Sequence, residues 1–437
     1  MPTVRIGVGA GFAEDRIDPA VDLADRGGLD FLVFECLGER TIALAQLERR
    51  RDPSKGYDPL LAERMSAVLA TCVAKGVRII TNGGAAHPRA ACEIVADVAR
   101  RAGLSPLRIA AVLGDDVTDR LDGPGMVSAN AYLGSDQIVA ALDDGADVIV
   151  TGRVADASLF VGPLVHAHGW SPTDWDTMGT AVAVGHLLEC AGQLCGGYFA
   201  DPGVVDVPGL ANLGFPLAEV AGDRSVVLTK LPHTGGEVSV RTCTAQLLYE
   251  VHDPSRYVNP DVVADFSTIT LEQVGPDRVA LRGATGQPAP DQLKVSVGYV
   301  GGWVGEGEIS YAGRGCLARA RLAADIVKSR LDTIGIRPTD IRFDLIGQNA
   351  VHRGRPGSND GVVEGPVGGP HEVRLRVAAR VSSADEAERV GREVTGLYLN
   401  GPAGGGGSRR HAFEQIALRS EYVPRDLVRP AIEWTVV

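Results

Sequence analysis

VRIITNGGAAHPRAA, residues 77–91, decides how the first part of this chain folds. Val77–Ile80 is a short apolar run, Thr81 and Asn82 end it, Gly83 and Gly84 turn the chain, and Pro88 suits the first position of a helix. A buried strand that feeds a helix through a glycine turn is the unit of a parallel sheet covered on both faces. The same rhythm repeats on either side. Strands are predicted over Val4–Val8, Asp30–Phe34, Arg108–Leu113 and Asp147–Val150. Helices are predicted over Asp18–Asp25, Thr41–Arg51, Leu60–Lys75, Pro88–Ala102 and Ser135–Asp143. Glycines at 27–28, 76, 103 and 145 stand where helices should stop. Residues 1–160 therefore read as a parallel α/β domain, doubly wound, with a barrel-like arrangement as the alternative.

Residues 161–224 read as a more helical connecting region. After it the pattern changes. Ser225–Leu231, Ser239–Val251, Phe266–Leu271, Arg278–Leu281 and Lys294–Tyr299 look like strands, with GPDR at 275–278 as a turn. A helix over Arg314–Leu331, strands over Ile341–Ile346 and Glu372–Val381 and a helix over Ser383–Leu399 follow. Residues 225–437 are thus expected to form an α+β domain with split β-α-β character, closed by the glycine loop GPAGGGGSRR at 401–410.

Composition narrows the function classes. The 437 residues are 45% hydrophobic, enough for sizeable cores, and carry 43 Lys+Arg against 55 Asp+Glu, a net charge of −12. That balance argues against a nucleic-acid partner, which needs a basic face. No apolar run approaches the roughly 18 residues of a membrane span, and MPTVRIGVGAGF lacks the pattern of a secretory leader. Seven cysteines without a CxxC pair suggest reduced thiols, and a cytoplasmic location is expected.

In a parallel sheet ligands bind beyond the carboxyl ends of the strands. Those ends carry Gly9 to Gly11, then Glu35 and Cys36, Thr81 to Gly84, Gly114 to Asp116, and Thr151, Gly152, Arg153 and Asp156. The alternating Gly7, Gly9 and Gly11 are not a G-x-G-x-x-G fingerprint, and no Walker loop is present. Arg89, in the first turn of a helix beside Gly83 and Gly84, suggests a bound anion. Asp115 and Asp116 suit a divalent cation, or one of them caps the segment that follows. His186, Glu189 and Cys190 share one helix face, as a His–Glu acid–base pair or a His–Cys arrangement would require. Lys230 beside PHTGGE (232–237) suggests an oxyanion or phosphate site.

FLVFECLGERT, RIITNGGAAHPRAACE, NAYLG, DVIVTGRVADASL, GHLLECAGQLCGGYF, ANLGFPLAEV, LTKLPHTGGEVSVRTCTAQLLYE, DVVADFSTITLEQVGPDRV and LNGPAGGGG occur in that order. Taken together they resemble the acyclic terpene utilisation (AtuA-like) family across the whole chain. The resemblance implies small-molecule metabolism of branched acyl compounds. It marks as family-like Asn82, Gly83, Gly84, Asp115, Asp116, Thr151, Gly152, Arg153, Asp156, His186, Glu189, Lys230, Gly235, Gly236, Asn400 and Gly401. Larger members of the family add a C-terminal domain with an HARSGDKGD-like stretch, which this chain lacks, so a separate subunit in its place is one expectation.

The reading that results is an enzyme acting on a carboxylated or thioester-activated branched acyl substrate by hydration, lyase or hydrolysis chemistry. Glu35, Asp116, His186 and Glu189 would move protons, and Arg89, Arg153 and the Gly83-Gly84 amides would hold the anion. The alternatives are an ATP-dependent ligase with magnesium on Asp115 and Asp116, and a non-catalytic subunit of an acyl-CoA-processing complex. A homo-oligomer is expected on general grounds.

Overall fold

The computed structural model describes residues 3–121, 123–351 and 370–437. Its strands are β1 (Thr3–Ala10), β2 (Phe31–Phe34), β3 (Arg78–Thr81), β4 (Arg108–Leu113), β5 (Met126–Ala131), β6 (Val148–Thr151), β7 (Pro216–Ala221), β8 (Val226–Lys230), β9 (Tyr257–Val258), β10 (Val263–Asp265), β11 (Thr270–Gly275), β12 (Arg278–Arg282), β13 (Thr285–Gln287), β14 (Gln292–Ala312), β15 (Asp340–Ile346), β16 (Glu372–Val381), β17 (Gly406–Pro424) and β18 (Ala431–Val436). Its helices are α1 (Asp18–Arg26), α2 (Glu39–Arg51), α3 (Leu61–Lys75), α4 (Pro88–Arg101), α5 (Asp136–Asp143), α6 (Ser158–His168), α7 (Trp175–Leu188), α8 (Val240–Leu248), α9 (Cys316–Thr333) and α10 (Ala384–Asn400). No helix among the described residues is long and apolar enough to cross a membrane.

The chain forms two compact units: residues 1–298 with 418–437, and residues 299–417. In the first, β1, β2, β3, β6 and β4 lie side by side and parallel. Their residues are buried almost throughout (FLVF of β2 and VIVT of β6 completely), as the continuous apolar runs require. Helices α1, α3 and α4 pack as one series and α5, α6 and α7 as another. Pro88 opens α4, whose Ala91, Cys92, Val95, Ala96, Val98 and Ala99 make its buried stripe at helical spacing.

The sheet is mixed and has ten strands, because β7, β8, β12 and β11 extend it antiparallel from β1 and β18 pairs antiparallel with β4. So β8, β11 and β12, expected in a separate domain after residue 224, belong to the same sheet as β1. GPDR does make the β11–β12 turn. Ser239–Val251 is a helix and not a strand. Ser239 and Thr242 form a reciprocal capping box that starts α8, and this outweighs the β-branched residues behind it. Phe266–Leu271 is also no continuous strand: β10 ends at Asp265 and β11 begins at Thr270.

In the second unit the elements follow as β-α-β-β-α-β, with β16 inserted between β15 and β14. Helices α9 and α10 both pack on β16. Ile309, Tyr311, Leu375, Val377, Val327, Val390 and Val394 lie in the core they enclose. The glycine-rich segment is followed directly by a strand, since β17 begins at Gly406.

Candidate functional site

At the end of β2, Glu35 turns its carboxyl inward. Its Oε1 accepts from the Leu37 N–H at 2.7 Å and from Asn82 Nδ2 at 2.9 Å, while Asn82 Oδ1 accepts from the Cys36 N–H at 2.6 Å. Asn82 thereby clamps the ends of β2 and β3 together. Burial, with the negative charge of Asp156 nearby, pushes the Glu35 pKa up to about 8 against the opposing pull of Arg153. At neutral pH this carboxyl is protonated.

Just past β6 lies Arg153, fully buried. It donates to the Leu37 carbonyl, pairs with Asp156, and stacks over the Tyr132 ring with its guanidinium carbon 4.2 Å from the centroid. Its backbone N–H and Asn130 Nδ2 both donate to Asp115 Oδ2, at 2.9 and 2.8 Å. Burial holds the Asp115 pKa at about 6 despite those two donors. Gly152 is needed here for space: a Cβ would sit 2.6 Å from the Asp115 carboxylate.

Tyr132 and Asp156 line a cavity of about 230 Å³ whose wall also includes His186, Glu189, Glu250, Tyr257 and Lys294. His186 is on the last turn of α7 and Glu189 directly follows that helix. His186 Nε2–H donates to the Leu247 carbonyl at 3.3 Å, so Nδ1 faces Glu189 Oε1 at 2.9 Å and the two share a proton. Burial alone would lower the His186 pKa, but the hydrogen bond and charge of Glu189 outweigh it and raise it. Burial raises Glu189 in turn, to about 7. Glu189 Oε2 is buried and has no partner. Tyr257 and Phe266 pack against the imidazole, with ring centroids 5.1 and 5.7 Å away. Asp156, raised by its own burial, keeps 37% of its side chain open where it lines the cavity.

Glu39, Tyr132, Lys294, Glu250 and Tyr257 line the same cavity and were not among the expected residues. Tyr132 donates to Glu39 Oε1 at 2.5 Å, and Lys294 Nζ pairs with the same oxygen at 3.0 Å. Burial disfavours the Glu39 anion, but the Tyr132 hydroxyl, its own backbone N–H and Lys294 hold its pKa at about 2. Tyr132 had a signal in NAYLG and Glu39 in FECLGE. Lys294, far along the chain at the start of β14, had none.

Several expected residues lie away from this cavity and make contacts within the fold. Gly84 lets β3 approach β6: a Cβ there would lie 2.5 Å from the Thr151 carbonyl oxygen, and one on Gly83 would lie 3.3 Å from Asp58. Thr151 itself is buried behind this contact. Arg89 makes two 2.6 Å bonds to Glu433 on β18, and both line a second cavity of about 640 Å³ together with Asp115 and Asp116. Asp115 and Asp116 have different hydrogen-bond partners. Asp116 is exposed, accepts from Gln46 Nε2 at 2.9 Å, and caps the next turn through the Thr118 N–H at 3.0 Å. No group of three or more His, Cys, Asp or Glu among the described residues is arranged to hold a metal.

Lys230 is buried against Asp277 at 3.2 Å and the Thr234 carbonyl at 3.0 Å. The Gly235 and Gly236 amides donate to Asn212 and Pro208, which leaves no open nest for phosphate. Burial pushes the Cys190 thiol up, away from the thiolate form that a nucleophile uses. Asn400 and Gly401 belong to the second unit, where they close α10 by bonds to the Gly396 and Leu397 carbonyls.

A family model described as acyclic terpene utilisation family protein AtuA matches residues 4–434. No curated protein and no solved structure matches the chain.

Proposed function

We propose that this chain, which belongs to the acyclic terpene utilisation family, is an acid–base enzyme that adds water to, or eliminates it from, a small branched acyl substrate. The observation that carries this reading is the His186–Glu189 pair on the cavity wall, with Glu189 Oε2 unpartnered and Asp156 on the same wall. Two carboxyl groups with raised pKa values and one imidazole are the inventory of general acid–base catalysis near neutral pH.

In the hydration direction, Glu189 Oε2 takes a proton from water and the water oxygen bonds to the β-carbon of an unsaturated acyl group. The α-carbon receives a proton from Asp156. The proton gained by Glu189 leaves through solvent and Asp156 is reprotonated, so the sum is one water added. His186 orients Glu189 and shares its proton, and Arg153 steadies the Asp156 anion. Glu35, neutral behind them, keeps one more negative charge away from the site.

The test is to incubate the purified protein in D2O with a branched enoyl thioester and follow deuterium at the α-carbon by NMR. Glu189→Gln and His186→Gln should slow exchange by about 10² to 10⁴. Wild-type protein that incorporates no deuterium, or variants as fast as wild type, would end the reading.

A further inference from the structure

We infer that the cavity accepts its acyl group uncharged, as a thioester, ester or amide, and rejects the free carboxylate. This rests on the acid–base reading of the same cavity and specifies its substrate class.

The charges on the wall carry the inference. Among the described residues four acidic side chains line it, Glu39, Asp156, Glu189 and Glu250. Against them stand two basic side chains, Lys294 and His186. Both are already paired, Lys294 with Glu39 at 3.0 Å and His186 with Glu189 at 2.9 Å. Arg153, the cation expected to hold a substrate anion, is tied to Asp156 and the Leu37 carbonyl, and a further carboxyl, Glu35, sits behind it. An incoming carboxylate would compete with a built-in carboxylate for every one of these cations. It would also face the Glu39 anion, whose pKa is held at about 2, on the same wall.

What the wall offers suits a neutral group. Glu189, on the wall, keeps Oε2 as a buried acceptor without a donor, which a water or substrate hydroxyl could supply. Tyr257 and Asn259 contribute neutral polar groups for a carbonyl. At about 230 Å³ the cavity is smaller than the roughly 300–1,000 Å³ of sites that engulf whole ligands. It holds the reacting end of an acyl chain and leaves a carrier group outside.

The experiment compares one branched five-carbon acyl skeleton in three forms: the N-acetylcysteamine thioester, the primary amide and the sodium salt of the acid. Calorimetric titration of the full chain at neutral pH gives each dissociation constant. Thioester and amide should bind at least about tenfold tighter than the carboxylate. Glu189→Gln should narrow that gap, and Glu250→Gln, at an exposed wall position, provides a second variant if the first does not fold. Equal or tighter binding of the carboxylate, or no binding by any form, overturns the inference. A thioester that binds but is never hydrated would defeat the proposed reaction and leave this inference standing. A free acid that binds and is turned over would do the reverse.

Discussion

Replacing Glu35 by Gln should change how stability depends on pH, and by a calculable amount. Folded Glu35 has a pKa of about 8, raised from 4.5 chiefly by burial. Between those values the folded chain holds a proton that the unfolded chain has released. Stability therefore declines as pH rises through this window, by up to about 1.4 kcal/mol per pH unit. From about pH 5 to pH 8 that amounts to on the order of 4 kcal/mol. Gln retains an oxygen for the Leu37 N–H and for Asn82 Nδ2 but cannot titrate. Urea unfolding of wild type and Glu35→Gln, run in parallel at intervals across the window, isolates the effect. The variant should gain on wild type steadily with pH and then level off above about pH 8. A difference that stays constant across the window would show that Glu35 is not held protonated, and the electrostatic account of the strand ends would fail with it.

Gly84→Ala should destabilise the protein by about 1–3 kcal/mol or more, because the new Cβ would sit 2.5 Å from the Thr151 carbonyl oxygen; an unchanged melting temperature contradicts this. Arg89→Ala, which breaks an ion pair whose side chains are 57% and 50% exposed, should cost no more than about 1 kcal/mol and leave acyl-ligand affinity untouched in a titration. Lys230→Met should lower stability by about 1–3 kcal/mol through the loss of its bonds to Asp277 and Thr234, with KM unchanged; a raised KM would return Lys230 to the site. With Glu189 as base at a pKa of about 7, kcat/KM should climb as pH rises through that value, and the climb should vanish from the residual rate of Glu189→Gln.

The parallel strands were readable because burial on both faces writes an uninterrupted apolar run with a polar end. Val77–Ile80 was enough to place β3 within a residue, and Arg108–Leu113 is β4 itself. Short antiparallel strands were harder to see. PLAEVA of β7 and AIEWTV of β18 carry little pattern of their own and are strands because β1 and β4 present open edges to them. α8 was misread for the opposite reason: its β-branched composition was visible, and the capping box at Ser239 and Thr242 was passed over.

At the site, spacing brought His186 and Glu189 together on one helical turn. Strand-end reasoning brought Glu35, Asn82, Arg153 and Asp156 to the same place. The same reasoning could not tell a charge open to a ligand from one already satisfied inside the protein. Arg89 and Lys230 find Glu433 and Asp277 at long sequence separation, and no local pattern announces such partners.

The pairing of β18 with β4 has a consequence for biosynthesis. Ala431 lies opposite Leu113, so the edge strand of the large sheet is translated roughly 320 residues after the strand it covers. Until then a nascent chain carries β4 with a bare row of backbone donors and acceptors, the kind of edge that recruits foreign strands. The intervening residues 299–417, contiguous in sequence, can complete their own core first. Translation order thus makes the large sheet the last part of the molecule to be sealed, and the stretch of synthesis before β18 emerges the period in which the chain most needs a chaperone.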